Sequence, residues 1–209
     1  MHCASHNSEG LKPDPEKIRG VTDMPKLTDV SRVRQIIGLV TYLRKFLPKL
    51  SDICETLRKL ALKDSEFCWS ETHDKALEEI KRLVTAEIVL RYYDPKLQLT
   101  IQSDALQTGL GAVVLQEDRP VAYANRDLTD TETRYAQIKK ELLSVIFGLE
   151  KFHSYTCGRT VRVISDHKPL ESFVKNHFHE VPKRLKRMIS RLQKYDIILH
   201  YRPGKEMYI

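Results

Sequence analysis

The fold is decided in residues 97–116, which read LQLTIQSDALQTGLGAVVLQ. Leu99 and Ile101 alternate with polar residues, which is the pattern of a β-strand that buries one face. The alternation stops at Asp104, and a short loop then leads to Gly109 and a second apolar run. The stretch therefore predicts a β-hairpin with a carboxylate at the end of its first strand. Such a carboxylate either bonds the amides of the turn or is held rigidly in a shallow functional site.

The composition is that of a globular protein with a real core. The chain has 209 residues, of which 41% are hydrophobic and 30% charged, enough for one large domain or two small ones. The absence of an apolar run of about 18 residues predicts no membrane span. The first ten residues, MHCASHNSEG, do not resemble a signal peptide, so we expect an intracellular location. The net charge of +7 is compatible with a polyanionic partner.

The cysteines and histidines give little support for a zinc site. Four cysteines are widely and irregularly spaced, with no C-x-x-C pair: Cys3, Cys54, Cys68 and Cys157. This spacing favours free thiols in a reducing compartment. His177 and His179 could chelate a metal, but with no further ligand at a suitable spacing, solvated loop residues are favoured.

A small helical region is predicted before the strands. Residues 1–27 show no sustained period and are predicted to be extended or loop. Apolar spacing then predicts one helix from Thr28 to Pro48, a second capped by Ser51 and a third capped by Ser70. Its basic residues either contact phosphates or form a solvated face: Arg32, Arg34, Arg44, Lys45 and Lys49.

Asp94-Pro95 is a turn signal, and the pattern after it changes to strands. The predicted elements are strands at 97–103, 110–117 and 120–125, a long helix from about Tyr135 to Tyr155, a strand in TVRVIS, a short helix from Pro169, a helix from Pro182 and a strand in IILHYRP. Because a meander followed by a strand–helix–strand crossover mixes antiparallel and parallel pairing, this order predicts an α/β fold with a mixed sheet covered by helices.

Three acids are candidates for a metal site. Asp104 and Asp166 end predicted strands, and Glu141 lies near the apolar stripe of the long helix. If the first and fourth strands are neighbours, the three carboxylates lie close together and repel one another. A divalent cation bound between them would neutralise this repulsion. Oxygen ligands favour Mg²⁺ or Mn²⁺, and two such ions can hydrolyse a phosphodiester. The alternative is solvated or capping acids, with Glu141 paired to Lys139, Lys140 or Lys151.

The helix predicted from Pro182 is strongly basic. Six cations precede its first acid, Asp196: Lys183, Arg184, Lys186, Arg187, Arg191 and Lys194. A positive helix beside a metal site suits a nucleic-acid backbone, and the first five are our candidate nucleic-acid-binding residues. An ordinary solvated face is the alternative.

Several segments resemble, in order and spacing, the ribonuclease H domain of gypsy-type LTR retrotransposon polyproteins: SDALQTGLGAVVLQ, PVAYANRDLTDTETRYAQIKKELLSVIFGLEKFHSYTCGR, VISDHKPL and YDIILHYRPGKE. Upstream, EGLKPDPEKIRGV, IIGLVTYLRKFLPKLSDI and FCWSETHDKALEEIKRLVT are similar to the end of the palm and the thumb of the same reverse transcriptases. The resemblance implies a palm or linker remnant at 1–27, a helical thumb-like region at 28–93 and a ribonuclease H-like domain at 94–209.

The resemblance also implies an activity, a cofactor and partners. The family hydrolyses the RNA strand of an RNA–DNA hybrid with two Mg²⁺ or Mn²⁺ ions held by four acids. Asp104 in SDA, Glu141 in KKELL and Asp166 in SDHKPL match three of them. The implied partners are the hybrid and the remainder of a polyprotein with RNA-directed DNA polymerase activity.

Two family features are not found in this sequence. The family's fourth acid lies a few residues past YRPGKE, where the sequence reads MYI and ends, and the polymerase motif Tyr-x-Asp-Asp does not occur. We therefore expect a fragment whose ribonuclease H-like domain is truncated at its C-terminus. The alternatives are a catalytically inactive nucleic-acid-binding remnant and a chain that never accumulates in folded form. A glycosidase built on paired carboxylates ranks far below these.

Overall fold

The structure is a computed structural model that describes residues 4–7, 10–43, 46–47, 50–62, 67–86, 89–175 and 183–208. The amino-terminal part forms β1 (Ala4–Asn7), β2 (Gly10–Pro13), α1 (Pro15–Thr22), α2 (Val30–Leu43), α3 (Leu50–Leu60) and α4 (Glu71–Thr85). The second part forms β3 (Leu99–Ala105), β4 (Gly109–Gln116), β5 (Arg119–Asp127), α5 (Asp130–Thr133), α6 (Gln137–Lys151), α7 (His153–Thr156), β6 (Thr160–Ser165), α8 (Lys168–Lys175), α9 (Lys183–Leu192), β7 (Asp196–Tyr201) and a 3₁₀ turn (Gly204–Glu206).

The described strands of the second part form one mixed sheet in the order β5-β4-β3-β6-β7. Short turns join β3, β4 and β5, so these three strands pair antiparallel. The connection through α6 carries the chain across the sheet, so β6 pairs parallel with β3, and β7 pairs parallel with β6. The predicted α/β fold, with a five-stranded mixed sheet and flanking helices, is confirmed.

Helix α6 lies against the centre of the sheet and fixes the main core. Its residues Leu142, Val145 and Leu149 are buried with apolar side chains of β3 and β4. A Cβ atom at Gly148 would lie 3.1 Å from Cβ of Ala112 and 3.2 Å from a side-chain carbon of Ile101. The missing side chain therefore allows α6 to approach the sheet closely, which sets the height of Glu141 above β3.

The helical region contacts the sheet directly. Phe46 is fully buried in a small cluster with Leu90 and with Val113, Leu115 and Tyr123 of the sheet. A buried hydrogen bond runs from the side-chain amide of Asn125 to the carbonyl oxygen of Leu47 (3.3 Å), and Arg58 of α3 pairs with Asp127 of β5. The apolar cluster and these polar contacts join the two parts of the chain.

Helix α1 is the main difference from the predicted elements. Residues 1–27 were predicted to be extended or loop, which is wrong for residues 15–22. Asp14 caps this helix by accepting from the backbone N–H of Glu16 (2.9 Å), and Pro15 occupies its first turn. Only Ile18 and Val21 supply an apolar face, too few for periodicity to reveal a helix.

Smaller differences concern element boundaries. Ser70 is the N-cap of α4 as predicted, whereas Ser51 lies inside α3, which begins one residue earlier. The long helix predicted to reach Tyr155 ends at Lys151, and the four-residue helix α7 follows. Pro48 and Pro182 lie outside the described residues. Cys54, Cys68 and Cys157 carry free thiols, as expected, whereas Cys3 lies outside the described residues. Over the ranges given above, no helix has both the length and the apolarity to cross a membrane.

Candidate metal centre

The sheet brings two of the candidate acids to the same edge. Strands β3 and β6 are parallel neighbours, with Gln102 opposite Ile164. Asp104 and Asp166 each lie two residues further along, at the carboxyl ends of these strands. Asp104 lies within β3, which continues to Ala105, and Asp166 directly follows β6.

Helix α6 supplies the third acid. One carboxylate oxygen from each of Asp104, Glu141 and Asp166 can be chosen so that all three lie within 4.8 Å of one another. Glu141 is buried at 2% exposure, whereas Asp104 is half-buried and Asp166 is partly exposed. The cluster therefore has a closed side on α6 and an open side toward solvent.

The pKa of Glu141 shows the charge repulsion expected among carboxylates that lie close together. Burial, followed by the negative charges of Asp104 and Asp166, raises the pKa of Glu141 to about 8. The side-chain amide of Gln137 opposes this shift by donating to Oε1 of Glu141 at 2.5 Å. The same amide nitrogen lies 3.3 Å from the carbonyl oxygen of Ala105, so Gln137 ties Glu141 to the end of β3.

The second oxygen of Glu141 has no such partner. Oε2 is buried and accepts no hydrogen bond from the described residues. A buried acceptor without a partner costs about 1–3 kcal/mol, and more when the group is charged. A cation among the three carboxylates would satisfy this atom, and a set of oxygen ligands alone suits a hard divalent ion such as Mg²⁺ or Mn²⁺. The residues present therefore fit a metal ion.

The lysines that flank Glu141 in sequence have other contacts. The ammonium group of Lys139 lies 3.3 Å from the centre of the Tyr135 ring. Lys140 is buried and donates to the carbonyl oxygen of Gln107 at 3.3 Å. These contacts favour the metal interpretation of Glu141 over simple pairing with lysine.

Helix α9 packs on α6 through an apolar face: Leu185, Met188, Ile189 and Leu192 are buried. Lys186 and Arg187 point to solvent. Arg191 instead forms a two-pronged ion pair with Glu150 of α6, at 2.8 and 2.6 Å, which lowers the pKa of that carboxyl group. The side chains of Lys183 and Arg184 lie outside the described residues.

Two basic candidates of the helical region have contacts away from the cluster. Arg32 pairs with Asp29 at 3.7 Å, and the guanidinium of Arg34 donates to the carbonyl oxygen of Ala61 at 3.1 Å. The remaining candidates lie outside the described residues: Arg44, Lys45, Lys49, His177 and His179. Gln137 is not among the predicted site residues, although its position one helical turn before Glu141 on the same helix is a usable signal.

Comparison with known proteins agrees with this architecture. A family model described as an RNase H-like domain found in reverse transcriptase matches residues 69–163. The Pol polyprotein of transposon 297 from Drosophila melanogaster is 31% identical over 199 residues, covering 95% of this chain and 19% of the relative. The Tf2-3 transposon polyprotein of Schizosaccharomyces pombe is 31% identical over 212 residues, covering 98% of this chain and 16% of the relative. The chain thus spans about a fifth of the length of such polyproteins.

Solved structures show the same fold. The foamy viral protease–reverse transcriptase in complex with RNA/DNA hybrid superposes with a TM-score of 0.78 at 20% identity, covering 98% of this chain and 29% of the viral one. The same enzyme in complex with dsDNA gives a TM-score of 0.75.

The gypsy Pol polyprotein of Drosophila melanogaster is 28% identical over 97% of this chain. Residues 69–163 therefore match an RNase H-like domain of the kind found in reverse transcriptase, and the chain is similar over most of its length to retrotransposon Pol polyproteins.

Proposed function

We propose that the chain supplies the ribonuclease H activity of a retroelement reverse transcriptase, the metal-dependent hydrolysis of the RNA strand of an RNA–DNA hybrid. The observation that carries the proposal is the convergence of Asp104, Glu141 and Asp166. Oε2 of Glu141, which accepts no hydrogen bond from the described residues, supports it. The relatives are longer Pol polyproteins, which supports a chain that acts together with a polymerase and the rest of a polyprotein.

Asp104, Glu141 and Asp166 would hold two Mg²⁺ or Mn²⁺ ions. When bound, such a pair lowers the pKa of an attacking water and stabilises the departing oxygen of the scissile phosphate. Glu141 must lose its proton to become a ligand, and Gln137 prepares it by holding Oε1. Since Asp104 and Asp166 lie on the open side, a phosphate group can reach the cluster from solvent.

Substrate recognition would combine charge and the RNA sugar. Lys186 and Arg187 on the exposed face of α9 suit a phosphate backbone. The 2′-hydroxyl group is what distinguishes RNA from DNA at a binding site. The foamy viral enzyme was solved in complex with RNA/DNA hybrid and also with dsDNA, which supports a nucleic-acid duplex as the ligand of this chain.

The test combines Mn²⁺ binding with cleavage of a labelled hybrid. We expect Asp104→Asn to weaken Mn²⁺ binding and to abolish Mn²⁺-dependent cleavage of the RNA strand. Glu78→Gln is the matched control, because Glu78 is an exposed acid on α4. Unchanged Mn²⁺ affinity in Asp104→Asn would contradict the site assignment.

A second candidate function is nucleic-acid binding without catalysis, favoured by the exposed cations of α9. It predicts binding that persists in EDTA and falls steeply with added salt. The double variant Lys186→Ala/Arg187→Ala should weaken hybrid binding, whereas Lys96→Ala, which removes an exposed cation in the turn before β3, should not. Equal binding by both variants would rule out this role for α9.

A further inference from the structure

We propose that Gly204 is a positioning residue for Asp166, because its bare α-carbon leaves the space in which the Asp166 carboxylate lies. A Cβ atom at Gly204 would lie 2.9 Å from Oδ2 of Asp166 and 3.7 Å from its Cβ and Cγ atoms. The inference rests on the proposed metal centre and adds a residue that is not itself a ligand.

The segment around Gly204 is held at both ends and cannot move away easily. The backbone N–H of Arg202 donates to the carbonyl oxygen of Ser165 at 3.1 Å, which joins the segment to the end of β6. At the other end, the backbone N–H of Tyr208 donates to Oε1 of Gln102 at 2.8 Å. Met207 also packs against the apolar cluster that contains Phe46.

The substitution acts on a side chain and not on the backbone. The φ angle of Gly204 lies outside the left-handed region, so an alanine fits the local conformation. The atom that it would meet is the free end of the Asp166 side chain, which can rotate away at small cost to the fold. We therefore expect Gly204→Ala to change the metal site much more than the stability.

The size of the displacement decides the effect on metal binding. To restore ordinary van der Waals contact, Oδ2 must move from 2.9 Å to at least 3.4 Å from the new carbon. A metal site is expected to match ordinary metal–ligand distances to within about 0.2 Å. A larger shift of the Asp166 carboxylate would therefore disturb the arrangement in which Asp104, Glu141 and Asp166 could hold an ion.

The test is Mn²⁺ titration of the 209-residue chain, with thermal melting of the metal-free protein as the fold check. We expect Gly204→Ala to weaken Mn²⁺ binding on the order of tenfold, as outer-shell changes do, with an unchanged Tm. Gly38→Ala is the control, because its Cβ enters open space within α2. Mn²⁺ affinity equal to that of the unsubstituted chain would overturn the proposal.

A double-mutant cycle tests whether Gly204 acts through Asp166. In an Asp166→Asn background, Gly204→Ala should add little to the loss of Mn²⁺ affinity, and a full additional loss would overturn the proposal. If Gly204→Ala lowers the Tm, Asp166→Ala must restore it, since the clash is then gone; persistent destabilisation would contradict the proposed contact.

The same titrations separate this proposal from the proposed function. If Asp104→Asn and Asp166→Asn weaken Mn²⁺ binding but Gly204→Ala does not, only the role of Gly204 is lost. If the two acid variants bind Mn²⁺ normally, the metal centre itself is overturned, and the role of Gly204 is overturned with it.

Discussion

Among single residues, Glu141 has the most strongly raised pKa at the candidate metal centre. Its neutral form is favoured in the metal-free protein because its carboxyl group is buried beside two other acids. The folded-state pKa of about 8 exceeds the ordinary value of 4.5. Between pH 4.5 and about pH 8, folding is therefore coupled to the uptake of a proton by Glu141. The free energy of unfolding of the metal-free protein falls as the pH rises through this range. Metal binding at neutral pH should release that proton.

The substitution Glu141→Gln removes the buried charge while keeping the shape. In EDTA at pH 8.5 we expect it to raise the free energy of unfolding by on the order of 1–3 kcal/mol. At pH 4 the carboxyl group is neutral in the native protein and mostly neutral in the unfolded chain, so the two proteins should be about equally stable. Urea denaturation at both pH values measures this difference, and equal stability at pH 8.5 would contradict the raised pKa.

At the scale of elements, the sequence predicted most of what positions the site. Alternation around Ile101 and helical spacing around Leu142 identified β3 and α6. Two of the predicted strands are each followed by an acid, Asp104 and Asp166, and this predicted that the two carboxylates lie close together. The proposed role of Gly204 was not predictable, because it depends on a contact between elements whose relative placement the pattern leaves open, whereas Gln137 lies one helical turn before Glu141 on the same helix. Helix α1 was missed because capping by Asp14, and not apolar periodicity, defines its start.

The close approach of α6 to the sheet gives an element-scale prediction. Gly148→Ala adds a methyl group 3.1 Å from Cβ of Ala112, and we expect this overpacking to outweigh the helix-propensity gain of alanine and to lower the free energy of unfolding by about 1 kcal/mol. Gly38→Ala in α2 meets open space and should instead stabilise by up to about 1 kcal/mol, the helix-propensity gain of alanine. Urea denaturation of both variants checks the contrast, and a stabilising Gly148→Ala would show that α6 lies further from the sheet.

At the scale of the whole molecule, the helical region and the sheet share contacts. The buried ring of Phe46 packs on β4 and β5, and Arg58 and Asn125 add polar links across the same boundary. These contacts favour cooperative unfolding over two independent transitions. The sequence suggested a boundary near Asp94 but gave no sign that Phe46 would be buried against strands far along the chain.

Trp69, the single tryptophan, lies in the helical region and reports on its unfolding. We expect the urea midpoint from Trp69 fluorescence to coincide with the midpoint from far-UV circular dichroism. Phe46→Ala should lower both midpoints together, at a cost of about 3–5 kcal/mol. A fluorescence midpoint that stays in place while the dichroism midpoint falls would show that the two parts unfold separately.

Anomalous diffraction from crystals of this chain soaked in Mn²⁺ would locate a metal ion between the three acids. We predict manganese peaks about 2.0–2.3 Å from carboxylate oxygens of Asp104, Glu141 and Asp166, with Oε2 of Glu141 among the ligands. Crystals soaked at pH 8.5 that bind manganese elsewhere and show no peak between these three carboxylates would contradict the proposed metal centre.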